Sequence, residues 1–276
     1  MTCTHREMEE YKDSFAVTTS HRPTRASLDL GRQFAGYLQV PFVERNDLSL
    51  KDLALKQKVK GLVVAGARRV SYFAGGQEFF FHPGLAGLRI KELQNGKTDQ
   101  MIKCMLLCPG AHVLDCTLGL AADSIVASYV AGKKGRVTGL EDSRVIAALV
   151  KHGLATYPAP EEDLAGAMRR IVVININHKE YLSGLAPQSF DIVYFDPMFR
   201  LPRRHSPAMD TLRLLANPHP LDRETIDLAL RASAQRIVMK ERRGSPEFKR
   251  LGFDRIDGGK YAPVVYGIME RKRLVR

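Results

Sequence analysis

The sequence has no Cys-x-x-Cys pair and no apolar run near the ~20 residues that span a membrane. It also has too few clustered ligand types to build a metal site. These absences argue against a thiol-disulfide or iron–sulfur enzyme, a membrane-spanning protein and a zinc module. The four cysteines, Cys3, Cys104, Cys108 and Cys116, fit reduced thiols in a cytoplasm. Cys104 and Cys108, four apart on an expected helix, read as small buried hydrophobes. The opening MTCTHREMEEYKD is too polar for a secretory signal. Acidic residues are in deficit, 30 against 42 Lys plus Arg, for a formal net charge of +12. That excess suits a polyanionic partner, nucleic acid in the simplest case, although a merely basic soluble protein has the same balance.

The 276 residues are 45% hydrophobic, enough for a sizeable core. Residues 1–13 read as a flexible tail, and 14–96 as a small α/β domain. In that domain "FAVTTS" is a strand, and 24–38 is an amphipathic helix capped by Thr24. Short β-rich runs at 61–66, 69–73 and 78–82 include a hairpin at Gly75-Gly76. Helices are expected near 84–94 and 98–108. Residues 97–276 form the larger domain.

From residue 111 strands and helices alternate. Strands are expected at 112–116, 136–141, 171–175, 190–195 and 236–240. A helix from Ser143 ends at Gly153, with Val145, Ala148, Leu149 and His152 on one stripe. "FDRID" and "PVVYGIME" close the chain through Gly258-Gly259. Short continuous apolar strands alternating with helices predict an α/β fold, a mostly parallel sheet with helices on both faces and an antiparallel edge strand.

Ligands of open parallel sheets sit at the carboxyl ends of the strands. The first strand ends in "DCTLGLAADS": Asp115, a tight turn at Gly119, then a helix start. This loop is neither Gly-x-Gly-x-x-Gly nor a Gly-Lys-Ser/Thr phosphate cradle. The second strand ends at Glu141, a carboxylate able to accept both hydrogen bonds of a ribose diol. The third leads to Asn177, suited to an adenine edge, and the fourth to Asp196-Pro197-Met198-Phe199. Singly, each is an ordinary cap or turn residue. Together, at four successive strand ends, they suit a cationic amino acid joined to adenosine.

The stretches "VLDCTLGLAADSIV", "RVTGLEDSRVIAALVKHGL" and "VYFDPMF", with "RIVMK" as a weaker echo, resemble the class I S-adenosylmethionine-dependent methyltransferases. More narrowly they resemble the bacterial small-subunit (16S) ribosomal RNA guanine-N2 methyltransferases. The resemblance covers about 111–240 and extends faintly into the N-terminal region. Ala121 and Ala122 depart from it, standing where that pattern has Gly and Arg.

The resemblance implies a Rossmann-like methyltransferase fold and S-adenosylmethionine as cofactor. The candidate cofactor-binding set is Asp115, Thr117, Gly119, Leu120, Asp123, Ser124, Glu141, Asp142 and Asn177. Asp196, Pro197 and Phe199 are the candidate catalytic residues. Asp196 and the Pro197 carbonyl accept from the target amine, and Phe199 stacks its base. Arg200, Arg203 and Arg204 form a candidate RNA-binding collar. The implied partner is structured RNA, ribosomal RNA or the small ribosomal subunit, in the cytoplasm, with no membrane. A DNA or tRNA amino-methyltransferase and a non-catalytic RNA-binding protein of the same fold are the alternatives. His82 reads equally as an RNA contact or a core histidine. Cys116, pointing away from Asp115 by alternation, is set aside as a nucleophile.

Overall fold

The computed structural model describes residues 14–197, 215 and 219–271, which fall into two units. One holds 14–81, 144–153 and 215; the other holds 82–143, 154–197 and 219–271.

In the first unit β1 (Phe15–Thr19) leads into α1 (Arg25–Leu38) and α2 (Leu50–Gln57). Then come β2 (Gly61–Ala65), β3 (Val70–Ala74) and β4 (Gln77–Phe80). The sheet order is β1-β2-β3-β4, with β1 and β2 parallel and the other pairs antiparallel. Thr24 caps α1 as the sequence predicts, its hydroxyl accepting from Ser27 N at 3.2 Å. The hairpin turns at Gly75 and Gly76, φ 57° and 78°, the left-handed pair a two-residue hairpin turn requires. Helix α2 was not anticipated; Ser49 caps it by accepting from Asp52 N at 3.1 Å.

Beyond residue 81 come α3 (Ala86–Gln94), α4 (Gln100–Met105), β5 (His112–Asp115), α5 (Ala122–Ala131), β6 (Arg136–Glu141) and α6 (Arg144–Thr156). They are followed by α7 (Glu162–Arg169), β7 (Ile171–Asn175), α8 (His178–Ser183), β8 (Phe190–Phe195), α9 (Arg223–Ala232) and β9 (Ser233–Arg242). Last are α10 (Glu247–Leu251), β10 (Arg255–Asp257) and β11 (Val264–Glu270).

Seven strands form one sheet in the order β10-β11-β9-β8-β5-β6-β7. The five from β9 to β7 are mutually parallel. β11 runs antiparallel to both β9 and β10, so it lies one position in from the edge. From β5 the chain steps outward through β6 and β7, then returns to the other side of β5 as β8 and β9. The crevice at the carboxyl ends of β5 and β8 is therefore the topological switch point of the sheet. Leu114, Val193, Phe195, Ile237 and Met239 are buried beneath α9, whose Ile226 and Ala229 join the same core. Each fully buried large aliphatic or aromatic chain of this kind contributes about 1.5–3 kcal/mol.

Two expectations are corrected. Helix α6 passes through Gly153 and ends at Thr156. A Cβ on Gly153 would lie 2.2 Å from Phe81 Cγ, so the glycine is there for close packing rather than for a helix stop. Helix α4 stops at Met105 because Leu106 takes the left-handed cap conformation, φ 48°. Cys104 is buried as expected, but Cys108, beyond the helix, is exposed.

Candidate active site

Asp115 ends β5 and is buried. Its Oδ1 accepts from Thr117 N at 3.0 Å, and its Oδ2 from the Ser124 hydroxyl at 2.6 Å. Burial pushes its carboxyl up to about 6, against the pull of those two donors. The loop between Asp115 and α5 is tightly wound. Gly119 has φ 49° and Ala121 φ 63°. Ala121 thus occupies, with a side chain, a conformation that glycine adopts freely, at the position where the resembling pattern has Gly. Leu118 N donates to Leu140 O at 3.0 Å, tying the loop to β6. The Leu118 side chain fills the space left by Gly139, where a Cβ would come within 2.4 Å of Leu118 Cδ1.

Glu141 ends β6, also buried. Its Oε2 accepts from Gly119 N at 3.1 Å and its Oε1 from Ser143 N at 2.9 Å. Burial raises its carboxyl to about 7, with the two amides opposing. One carboxylate therefore fastens the loop after β5 to the turn after β6, and each oxygen keeps a further lone pair for a ligand. Asn175, at the end of β7, donates to the carbonyls of Glu141 and Asp142 at 2.7 and 3.0 Å. Asn177 caps α8, accepting from Lys179 N at 2.9 Å, and donates to Asp142 Oδ2 at 3.3 Å. Leu120 is half-buried in the same loop.

Asp196 follows β8 directly. Its N–H donates to Thr117 Oγ1 at 2.6 Å, so Thr117 links the end of β5 to the end of β8. Lys240, near the end of β9, donates to Asp196 Oδ2 at 2.7 Å and to Asp123 Oδ2 at 2.9 Å. Asp123 also receives the Tyr194 hydroxyl at 2.7 Å and Arg89, which grips Asp99 through two nitrogens at 2.7 and 3.0 Å. Asp123 lies well below the usual carboxylate range: Lys240, then Arg89, outweigh its burial. Asp196 is shifted upward by burial, with Asp123 adding to the rise and Lys240 opposing it. Pro197 is half-buried beside it.

The candidate residues Asp115, Thr117, Gly119, Ser124 and Glu141 thus meet around one loop, with Asp196 hydrogen-bonded to it. Asp142 and Asn177 meet at the ends of β6 and β7. Asp123 is turned into the ion network. Phe199, Arg200, Arg203 and Arg204 lie outside the described residues. Sequence reading missed the network itself, Arg89, Asp99, Tyr194 and Lys240. The one signal was a lysine closing the apolar run "RIVMK". His82 is exposed rather than a core histidine, its Nδ1 accepting from Gly84 N at 3.0 Å. Cys116 is buried, and burial raises its thiol well above the ordinary value. Among the described residues no group of His, Cys, Asp and Glu is arranged to hold a metal ion, and no helix is long and apolar enough to cross a membrane.

The family model for SAM-dependent methyltransferases matches residues 80–251. The Bacillus subtilis protein YpiP, described as uncharacterized, is 36% identical over 255 residues, which is 92% of this chain and 98% of its own length. Ribosomal RNA small subunit methyltransferase J of Coxiella burnetii is 26% identical over 242 residues, 84% of this chain and 87% of its own. The protein of that name in Cellvibrio japonicus is 28% identical over 166 residues, 56% and 61% of the two chains. Among solved structures, a SAM-dependent methyltransferase from Neisseria gonorrhoeae aligns with 94% of this chain and 97% of its own, at TM-score 0.62 and 19% identity. The fold is that of these enzymes, in line with the sequence resemblance.

Proposed function

Because the chain belongs to the S-adenosylmethionine-dependent methyltransferase family, we propose that it methylates an exocyclic amine of a base in structured RNA, guanine N2 of small-subunit ribosomal RNA in particular. The observation that carries the reading is Asp196: a carboxylate at the switch point, fixed through its N–H by Thr117 and through Oδ2 by Lys240. The names of the Coxiella and Cellvibrio relatives support ribosomal RNA over DNA or tRNA.

The donor set fits the cofactor. Asp115 and Glu141 are buried carboxylates at adjacent strand ends, suited to the ammonium and the ribose diol, and Gly119 lets the loop backbone approach closely. Thr117, Leu120, Ser124, Asp142 and Asn177 complete the proposed surround. The cofactor, when bound, supplies an electrophilic methyl group on a sulfonium sulfur.

An exocyclic amine is a poor nucleophile because its lone pair is delocalised into the ring. Acceptors on its N–H protons favour the pyramidal nitrogen that reacts. Asp196 and the Pro197 carbonyl serve as those acceptors in this reading, and Pro197 fixes the backbone between them. Phe199 stacks the extruded base, and Arg200, Arg203 and Arg204 hold flanking phosphates. Positioning supplies much of the rate. The setting for such work is the cytoplasm.

Mass spectrometry of nucleosides from ribosomal RNA, tRNA and DNA of a deletion strain tests the reading. Loss of N2-methylguanosine from small-subunit ribosomal RNA is the expected result. A methylated nucleoside lost only from tRNA or DNA would move the substrate, and no loss in any of the three would overturn the nucleic-acid reading.

A further inference from the structure

The carboxyl edge of the sheet carries a second feature. β9 runs two residues past Lys240 to Arg242, where β11 begins, Val264 pairing with Arg242. Because β9 is parallel to β8, this is the edge on which Asp196 lies. The turn entering β11 is firmly built. Arg243 N donates to Pro263 O at 3.0 Å and Ala262 N to Gly259 O at 2.9 Å. The Arg243 guanidinium donates to the carbonyls of Ala262, at 2.9 Å, and Gly259. Arg242, Arg243, Lys260, Tyr261, Ala262 and Pro263 line a surface cleft of about 430 Å³.

Three of these six residues are cations. Tyr261 is 85% exposed, and Lys260 Nζ lies 5.4 Å from its ring centroid. A single exposed aromatic is unremarkable on a protein surface. A positively charged groove with an aromatic ring on its rim is the equipment of single-strand nucleic-acid binding, in which cations follow the backbone and the ring stacks a base. The placement adds to this. Two strand residues span ~7 Å, so the cleft opens about two stacked nucleotides, at ~3.4 Å each, beyond the lysine that touches Asp196.

We propose that this cleft is a second seat for the RNA, with Arg242, Arg243 and Lys260 holding backbone phosphates and Tyr261 stacking a base that flanks the methylated one. The inference rests on the RNA reading above and extends it from the target base to its neighbours.

The test uses the full chain and an unmodified transcript of small-subunit ribosomal RNA, titrated at several salt concentrations. Arg243 is left in place because it holds the turn. Lys260→Ala is expected to lower the slope of log affinity against log salt by about 0.7–0.9, one phosphate contact. Tyr261→Ala is expected to weaken binding about 5- to 100-fold at unchanged slope, whereas Tyr261→Phe, which keeps the stacking face, stays near the parent. S-adenosylmethionine affinity, measured alongside, stays at the parental value in all three. Parental RNA affinity and slope in both alanine variants would overturn the proposal while leaving the RNA reading intact. A parent protein with no affinity for the transcript would instead sink that reading, and this one with it. Polyglutamate that displaces the transcript from the parent, and binds more weakly to Tyr261→Ala, would reassign the cleft to an acidic protein segment.

Discussion

Lys240 Nζ lies 2.7 Å from Asp196 Oδ2 and 2.9 Å from Asp123 Oδ2, so one ammonium joins the carboxylate after β8 to the first turn of α5. The surrounding charged and titratable groups are Arg89, Asp115, Tyr194 and Tyr266. Two carboxylates so placed repel each other, and the lysine opposes that repulsion: it holds Asp123 ionised and limits the upward shift of Asp196. Lys240→Met should therefore raise the Asp196 carboxyl further, by about one to three pH units. If Asp196 must be anionic to accept from the amine, the acid limb of the single-turnover pH profile moves up by that amount. Activity lost at pH 7 then returns in part near pH 9. A merely structural lysine would lower the rate equally at every pH. The fold loses about 1–3 kcal/mol, less than the 3–5 kcal/mol of a sealed ion pair, because the Lys240 side chain is 23% exposed.

Asp196→Ala should separate chemistry from cofactor binding. In the proposed mechanism Asp196 meets the target amine, which is absent from the binary cofactor complex, so its contribution should appear in the transition state. A rate loss of about 10²–10⁴-fold is expected, with S-adenosylmethionine affinity nearly unchanged by calorimetry. A variant with near-parental methyl transfer would reduce "DPMF" to a turn.

Cofactor binding should release protons. Glu141, raised to about 7, and Asp115, raised to about 6, hold protons in the cofactor-free protein below those values. A ribose diol and an ammonium favour the anions. Affinity should thus rise with pH between about 5 and 7, by up to tenfold per unit for each proton expelled. Calorimetry in buffers of different ionisation enthalpy counts those protons, and Glu141→Gln should remove the Glu141 share. Glu141→Ala should weaken binding by roughly 1–3 kcal/mol. The sign for stability is the reverse. The folded Glu141 carboxyl binds its proton more tightly than the unfolded one at 4.5, so the cofactor-free fold loses stability as pH rises from 4.5 through about 7.

The proposed RNA-binding run after Phe199 is a separate electrostatic test. Arg203 and Arg204 lie within five residues of Phe199 in the chain. Replacing both with Ala should lower the salt slope of RNA binding by about one to two units and weaken binding more than it slows the chemical step. Phe199→Ala should instead cost about 1–3 kcal/mol of stacking, with little change in slope. A double Arg variant with the parental slope would mark the run as ordinary solvated surface.

The strand ends were legible because each lies where an apolar run stops, and Asp115, Glu141 and Asp196 all close such runs. The ion network was not, because its bonds join residues far apart in sequence. Lys240 is 44 residues from Asp196 and 117 from Asp123. Periodicity carries no information about such pairs. Gly153 misled for a related reason: a glycine near the end of an amphipathic pattern normally marks a helix stop, and only the Phe81 ring beside it shows why it lies within the helix. α8 and α10, six and five residues long, are too short for a helical period to emerge.

Gly139 offers the most direct test of how β6 supports the loop after β5, the proposed cofactor loop. It is paired to Asp115 across the parallel β5–β6 ladder, and its bare Cα leaves room for the Leu118 side chain. In Gly139→Ala the new methyl meets Leu118 Cδ1 at 2.4 Å, and Cγ and Cδ2 at 3.0 Å. Alanine suits a strand slightly better than glycine, by about 0.5–1 kcal/mol, but overpacking a filled core costs typically 1–3 kcal/mol. The clash should win. Leu118 must shift, which strains its N–H bond to Leu140 O, and the next residue, Gly119, whose N–H donates to Glu141 Oε2 at 3.1 Å, shifts with it. S-adenosylmethionine affinity should therefore fall together with the melting temperature. Gly139→Ala with Leu118→Ala, which vacates the same space, should recover much of the affinity although it gives up buried apolar area. A Gly139→Ala protein with parental cofactor affinity would show that the loop tolerates the displacement, and that Leu118 is core filling rather than the support of the loop.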